Sequence, residues 1–335
     1  MREMRAIVIT RFGEPEVLRE ERLPIPEATP GTVVVRVRAF GLNHAEAYFR
    51  KGVWGEVAKV SGIECVGEVH DPGSSKLRSR ERVFALMGGM GRTIDGSYAE
   101  YVRVPESNVV PFESSMEWTD LAAIPESYAT AWTFLRHNLE TASGQTIVIR
   151  GGTSALGQAA INIARDLDAR VLATTRSRDK TRILEELGAE PLIESADLSR
   201  EVRRRVPAGV DGVIDIIGTS TLLDSLKMAR YRGRVAMAGF LGGGAHSRSI
   251  PCRSCRVACT SASSPAHSSL AAPIFRSPRS RSAISSRVPN AEPTGPHPPT
   301  FSISIRSSKR TDSWSRATRV ERSSFGHRRC ELRGR

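Results

Sequence analysis

TIVIRGGTSALG, residues 146–157, is an apolar β-branched run that breaks into a glycine-rich turn and then opens a helical pattern reaching residue 167. A parallel strand that feeds a helix through such a turn leaves backbone N–H groups and the positive end of the helix dipole facing one point, where a pyrophosphate can bind. Gly152 and Gly157 occupy the outer positions of the GxGxxG pattern, and Ser154 replaces its middle glycine. Thr153, Ser154, Ala155 and Leu156 lie between them as the candidate cradle. The same letters also fit a Gly/Ser loop that only turns the chain; the strand–turn–helix setting favours a dinucleotide.

Beyond the turn, strands at 170–175, 191–194, 212–217 and 234–239 alternate with helices at 179–187 and 221–231, and helices at 117–123 and 127–138 lead into it. Repeating β and α units imply a parallel sheet covered by helices. Residues 5–10, 32–39, 64–70, 82–86 and 97–104 are short β-branched or alternating runs between Gly, Pro or charged turns, which predicts a compact β-rich unit. The expected class is α/β, with a β-rich domain over 1–125, a doubly wound domain over 126–244 and a separate tail over 245–335.

The strand after the turn also bears on which dinucleotide binds. A site selecting NAD places Asp or Glu about 20 residues past the turn, against the ribose hydroxyls. Here the strand ends Ala173-Thr174-Thr175-Arg176-Ser177-Arg178, with no carboxylate. Arg176, with Lys180 one turn further on, suits the 2′-phosphate of NADP, because a guanidinium forks onto phosphate oxygens. Thr175 closes the strand beside them. The plainer reading is a pair of solvated surface cations.

The chain has a net charge of +13, all of it in the tail: residues 1–245 hold 32 Lys+Arg against 32 Asp+Glu, and 246–335 hold 17 against 4. With 21 Ser, 16 Arg and 9 Pro but only 13 Leu, Ile, Val and Phe, the tail has too little apolar surface for a core. Codons can be chosen for 252–264 and 313–325 so that one shifted frame reads as strand and helix patterns in both. A change of reading frame between Gly242 and Pro251 is therefore favoured over a disordered tail and over an Arg/Ser-rich nucleic-acid arm. An arm would have only Trp314, Phe275, Phe301 and Phe325 for base stacking.

No run approaches the roughly 18 apolar residues of a membrane span. The start, MREMRAIVITRFG, lacks a signal-peptide pattern, so a soluble cytoplasmic protein without a membrane partner is expected. Cys65 is the only cysteine before the tail and is expected to pack in the core, leaving no disulfide framework. CRSCRVAC, 252–259, has no second CxxC pair, and no zinc site is assigned to it.

GLNHAEAYFRKG (41–52), SGIECVGEV (61–69), DGSYAEYV (95–102), AAIPESYATAW (122–132), the GGTSALG turn, ATTRSRDK (173–180) and GRVAMAGFLGG (233–243) follow one another in a characteristic order. From Met4 to Gly243 the chain resembles the medium-chain dehydrogenase/reductase superfamily, and within it the zinc-free quinone oxidoreductases related to zeta-crystallin. The resemblance implies a GroES-like catalytic domain and a Rossmann nucleotide-binding domain, with cofactor and substrate in the cleft between. Zinc-dependent relatives hold the metal with a Cys and a His. Asn43 and Ile63 stand at those positions here and Glu64 alone remains, so no metal is expected.

The resemblance sets Asn43 and Tyr48 against nicotinamide and substrate, as amide and phenol donors to an oxygen gaining negative charge. It sets Thr130 at the nicotinamide end, and Gly218 and Gly239 along the cofactor. Each has a structural reading beside it: a turn for Asn43, a half-buried helix position for Tyr48, a bond within its own helix for Thr130, simple turns for the glycines. His44 and Glu46, expected on different faces of a helix, are given no role. Ser195 stands where many relatives carry a tyrosine packed on adenine.

The expected activity is hydride transfer from NADPH to a quinone or another activated carbonyl or enone, with the cofactor carrying the hard chemistry. Intact relatives are implied to be homodimers. The alternatives are an enoyl or alkenal reductase and, from another class, a non-catalytic scaffold with a nucleic-acid-binding tail. Relatives continue past FLGG into a sixth strand and then return to complete the catalytic domain. The altered end therefore predicts two incomplete domains, an open strand edge and a chain that is poorly stable and inactive as written.

Overall fold

The structure, a computed structural model, describes residues 2–239 and 256–259. The composition change after residue 245, the frame change and the nucleic-acid arm read from it lie outside the described residues, apart from that last short segment.

The amino-terminal half is built on strands whose apolar positions alternate. β1 (Glu3–Ile9) and β2 (Leu18–Pro24) form an antiparallel ribbon. β3 (Thr32–Ala39), β4 (Glu64–Asp71), β5 (Arg82–Leu86), β6 (Tyr101–Pro105) and β7 (Val109–Pro111) form an antiparallel sheet in the order β6-β3-β4-β5-β7. Val33, Val35, Val69, Val83 and Val104 pack together with Cys65, which is fully buried as expected of a small apolar residue. Helix α1 (His44–Arg50) follows β3. Two short helices, α2 (Trp118–Leu121) and α3 (Pro125–Trp132), lead to the second unit. Residues 133–138, expected to extend α3, wind as a wider π turn.

In the second unit β8 (Thr146–Arg150), β9 (Arg170–Thr175), β10 (Glu190–Ile193), β11 (Val210–Asp215), β12 (Ala229–Met237) and β13 (Arg256–Cys259) form one parallel sheet in the order β10-β9-β8-β11-β12-β13. Helices α4 (Ala155–Asp166), α5 (Thr181–Glu186), α6 (Leu198–Arg205) and α7 (Leu222–Met228) cover it. Ile147 and Ile149 of β8 join one apolar cluster and Val148 the other, so the central strand is buried on both faces, as its unbroken apolar run requires. Full burial of each such side chain contributes about 1.5–3 kcal/mol.

Two expectations are corrected. The sheet does not stop at five strands, because Arg256–Cys259 adds β13, parallel to β12, with Arg234 opposite Arg256 and Met237 opposite Cys259. A ladder is made by backbone N–H and C=O groups, so four residues within a tail otherwise too poor in apolar side chains for a core can still join an open edge. The helix expected over 221–231 ends at Met228, since Ala229 is already extended at φ −67° and ψ 139° and belongs to β12. Among the described residues no helix is long and apolar enough to cross a membrane.

Candidate active site

The parallel register sets the carboxyl ends of β8, β9, β11 and β12 along one edge: Ile149 lies beside Ala173 on one flank and Ile214 on the other, and Ile214 beside Ala236. The nucleotide turn leaves β8 at that edge. Gly151 turns the chain with φ +85°, a left-handed conformation that suits glycine, and Ser154 caps α4. The Ser154 hydroxyl accepts from Gly157 N at 3.0 Å and donates to Gly151 O at 2.8 Å, so the residue replacing the middle glycine closes the turn itself. A Cβ on Gly157 would lie 2.3 Å from Gly151 O, and one on Gly152 would lie 2.9 Å from the Ala173 Cβ. The N–H groups of Thr153, Ala155 and Leu156 have no acceptor among the described residues, and they are the donors an anion at a helix start would take.

Around this turn the sequence candidates fall on the same edge. Thr175 is buried at the end of β9, and its carbonyl accepts from Glu194 N at 2.9 Å. Arg176 and Lys180 follow it, exposed and without an ion pair among the described residues. Gly218, at φ +92°, donates its N–H to Asp215 Oδ1 at 2.9 Å, and Gly239 follows Ala238, whose N–H reaches Asp215 O at 2.8 Å.

Arg150 escaped the sequence reading. It ends β8 wholly buried, paired with Glu194 and Asp224, and its Nη2 reaches Ser195 O at 3.3 Å. The one signal for it was a cation closing an otherwise apolar strand.

The second cluster lies where α1 and β4 meet α3. Asn43 precedes α1, and its Nδ2 donates to Glu64 Oε1 at 2.8 Å. The other carboxyl oxygen of Glu64 accepts from Glu126 N at 2.8 Å, and Glu126 Oε1 accepts from the Thr130 hydroxyl at 2.7 Å. Glu46 is buried on the inner face of α1, taking N–H groups of Asn43 at 2.7 Å and Ile63 at 3.0 Å and the Tyr98 hydroxyl at 2.6 Å. Burial pushes Glu46 up to about 7 despite those donors. Burial, with the Glu126 carboxyl adding to it, pushes Glu64 up to about 8. Burial also raises Glu126. The shifts of Glu46 and Glu64 mark carboxyls able to hold a proton near neutrality.

Asn43 and Thr130 are thus brought together through two carboxyls. Tyr48 is not joined to them: its half-buried ring packs on His44, with centroids 5.1 Å apart, and on Trp54 at 5.3 Å. His44 is exposed and Glu46 buried, on different faces as expected. The three glutamates were invisible as a group because 18 residues separate Glu46 from Glu64 and 62 separate Glu64 from Glu126 in the chain.

Two family descriptions match the chain: "Alcohol dehydrogenase GroES-like domain" over residues 29–114 and "Zinc-binding dehydrogenase" over residues 155–262. The quinone oxidoreductase of Lama guanicoe is 28% identical over 252 residues, covering 72% of this chain and 74% of that protein. Quinone oxidoreductase-like protein 2 of Bos taurus is 30% identical over 251 residues, covering 72% and 70%. Among solved structures, mycobacterial Rv1454c complexed with NADPH superposes with a TM-score of 0.70 at 25% identity, over 81% of this chain and 87% of that one. The zinc of the second description does not fit these residues: Ile63 offers no donor atom, Asn43 commits an amide hydrogen to Glu64, and among the described residues no three His, Cys, Asp or Glu are placed to hold a metal ion.

Proposed function

The chain belongs to the medium-chain dehydrogenase/reductase superfamily, and from that premise we propose that it transfers hydride from NADPH to a quinone or another activated carbonyl or enone without a metal. The observation that carries this reading is the Asn43–Glu64 contact. The residue standing where a zinc ligand would stand is tied to a buried carboxyl, so polarisation of a substrate oxygen falls to side-chain donors. A substrate that is electrophilic by itself needs no stronger activation.

When bound, NADPH supplies the hydride. The N–H groups of Thr153, Ala155 and Leu156 hold its pyrophosphate within the Gly152–Gly157 turn, capped by Ser154. Arg176 and Lys180, next to Thr175, take the 2′-phosphate, which favours NADPH over NADH. Gly218 and Gly239 leave room for the cofactor along the sheet edge, and Thr130 contacts its nicotinamide end. The Tyr48 phenol and the second amide hydrogen of Asn43 stabilise the oxygen on which charge develops. This reading keeps the division into 1–125 and 126–244.

Of the two losses that predicted an inactive chain, the missing sixth strand is made good by β13. The return of the chain to the catalytic domain falls outside the described residues. We therefore propose the activity for the chain itself. The test is loss of the reduced-nicotinamide absorbance in the presence of purified full chain and a small quinone, an enone or a 2-alkenal. Turnover with NADPH and the quinone is expected. A folded chain that binds NADPH but oxidises it with none of the three acceptors overturns the reading, and turnover with the alkenal alone moves it to the enoyl or alkenal reductases.

A further inference from the structure

Helix α3 opens without a side-chain cap of its own: Ile124 precedes it and Pro125 takes its first position. The N–H of Glu126, an orphan donor of the first turn, is satisfied by Glu64, which comes from β4 in the other half of the protein. Space for that carboxyl is reserved, since a Cβ on Gly41 would lie 2.2 Å from Glu64 Oε1. The other oxygen of the same carboxyl fixes the amide of Asn43. One turn along α3, Glu126 takes the only hydroxyl hydrogen of Thr130, which leaves Thr130 Oγ1 as an acceptor.

We propose that Glu64 is a positioning residue for the hydride transfer: by accepting from Asn43 and from the start of α3 at once, it sets which face of the Asn43 amide meets the cleft and at what distance Thr130 stands from it. This rests on the proposed activity and deepens it. Once ionised, above about pH 8, Glu64 offers an oxygen at both ends of its side chain, and both partners are N–H donors. An amide cannot supply two. The Glu126 N–H is backbone and cannot turn round, so in Glu64→Gln the amide oxygen must stay with it and the amide nitrogen must face Asn43. Asn43 then flips and presents Oδ1 to Gln, exchanging the donor and acceptor it shows the cleft. Thr130 keeps its own partner throughout.

The experiment compares full-length wild type, Glu64→Gln and the double variant Asn43→Asp/Glu64→Gln. The double variant keeps the reversed donor–acceptor pair of Glu64→Gln and removes the amide hydrogens of residue 43. Melting temperature and steady-state kinetics with NADPH are read for all three at about pH 9, where Glu64 is ionised, and the side-chain amide resonances of Asn43 for each protein that retains an amide there. In Glu64→Gln the Asn43 resonances are expected to move and kcat to fall about ten- to a hundredfold while KM for NADPH changes little. The double variant is expected to melt like wild type without recovering kcat. Wild-type kcat in Glu64→Gln, unmoved Asn43 resonances, or a loss of kcat that follows melting temperature across the three proteins overturns the proposal. If wild type itself turns over no acceptor, the proposed activity fails, and the Asn43 resonances still answer separately for Glu64.

Discussion

Arg150 Nη1 lies 3.1 Å from Asp224 Oδ2, and the guanidinium between Asp224 and Glu194 is wholly buried at the end of the central strand β8. It also reaches Thr221 O at 3.1 Å and Ser225 Oγ at 3.0 Å. Glu194 in turn accepts from the Thr174 hydroxyl at 2.8 Å, and the same hydroxyl oxygen accepts from Gly151 N at 2.9 Å. The cation nearest the nucleotide turn is therefore committed to supporting the turn from beneath. Phosphate recognition is left to backbone N–H groups and to the exposed cations beyond β9.

Arg150→Met removes one partner of a buried ion cluster and leaves two carboxylates uncompensated, which costs about 3–5 kcal/mol. Urea unfolding should show that loss, and adding Glu194→Gln and Asp224→Asn should recover part of it because the uncompensated charges go with the cation. A single Arg150→Met that unfolds at the wild-type midpoint would show that the cluster contributes nothing.

Gly157→Ala places a methyl 2.3 Å from Gly151 O, backbone against a turn held by two Ser154 bonds. Backbone cannot swing aside as a flexible side chain would, so α4 must move away from the turn. NADPH affinity should fall by about tenfold or more, a change of about 1.4 kcal/mol. Fluorescence titration of the variant reads it directly, and an unchanged Kd contradicts the assignment of this turn to the cofactor.

Elements declared themselves in the sequence where burial left its own period. β8 was legible because Ile147, Val148 and Ile149 are buried on both faces. α6 was not, because among its arginines only Leu198, Ser199 and Val202 turn inward. β2, written LREERLP, buries no residue and is held by its ladder to β1. β13 was missed because its four residues, Arg256–Cys259, lie in a tail whose overall composition is too poor in apolar residues for a core. The Gly152–Gly157 turn could be read because its chemistry is local. The Asn43–Glu64 and Arg150–Asp224 contacts could not, because 21 and 74 residues separate the partners and only the tertiary fold brings them together.

Arg176 and Lys180 are exposed, so replacing them with alanine should change stability by no more than about 0.5 kcal/mol. Their proposed partner is a phosphate present in NADPH and absent from NADH. Arg176→Ala should therefore weaken NADPH binding by about tenfold and leave NADH unchanged, an effect that shrinks as salt is raised. Isothermal titration with both cofactors decides it. Equal losses for the two would place the cation elsewhere than at the 2′-phosphate.

Glu46 and Glu64 give the fold a pH dependence of definite sign. Burial pushes them from an ordinary 4.5 up to about 7 and about 8, the Glu126 carboxyl adding to the rise of Glu64. Between pH 4.5 and 8 the folded chain keeps protons that the unfolded chain has released. Stability must then fall as pH rises through that window, by up to about 1.4 kcal/mol per pH unit for each group. Below the window both states are protonated and the contribution is constant. Urea unfolding at a series of pH values from 5 to 8 should show the decline. Glu64→Gln should flatten its upper part, because the amide has no proton to lose where Glu64 is the group still titrating. A wild-type stability that stays flat across the same window would mean that these carboxyls are ionised in the folded chain, with the N–H donors on them outweighing their burial.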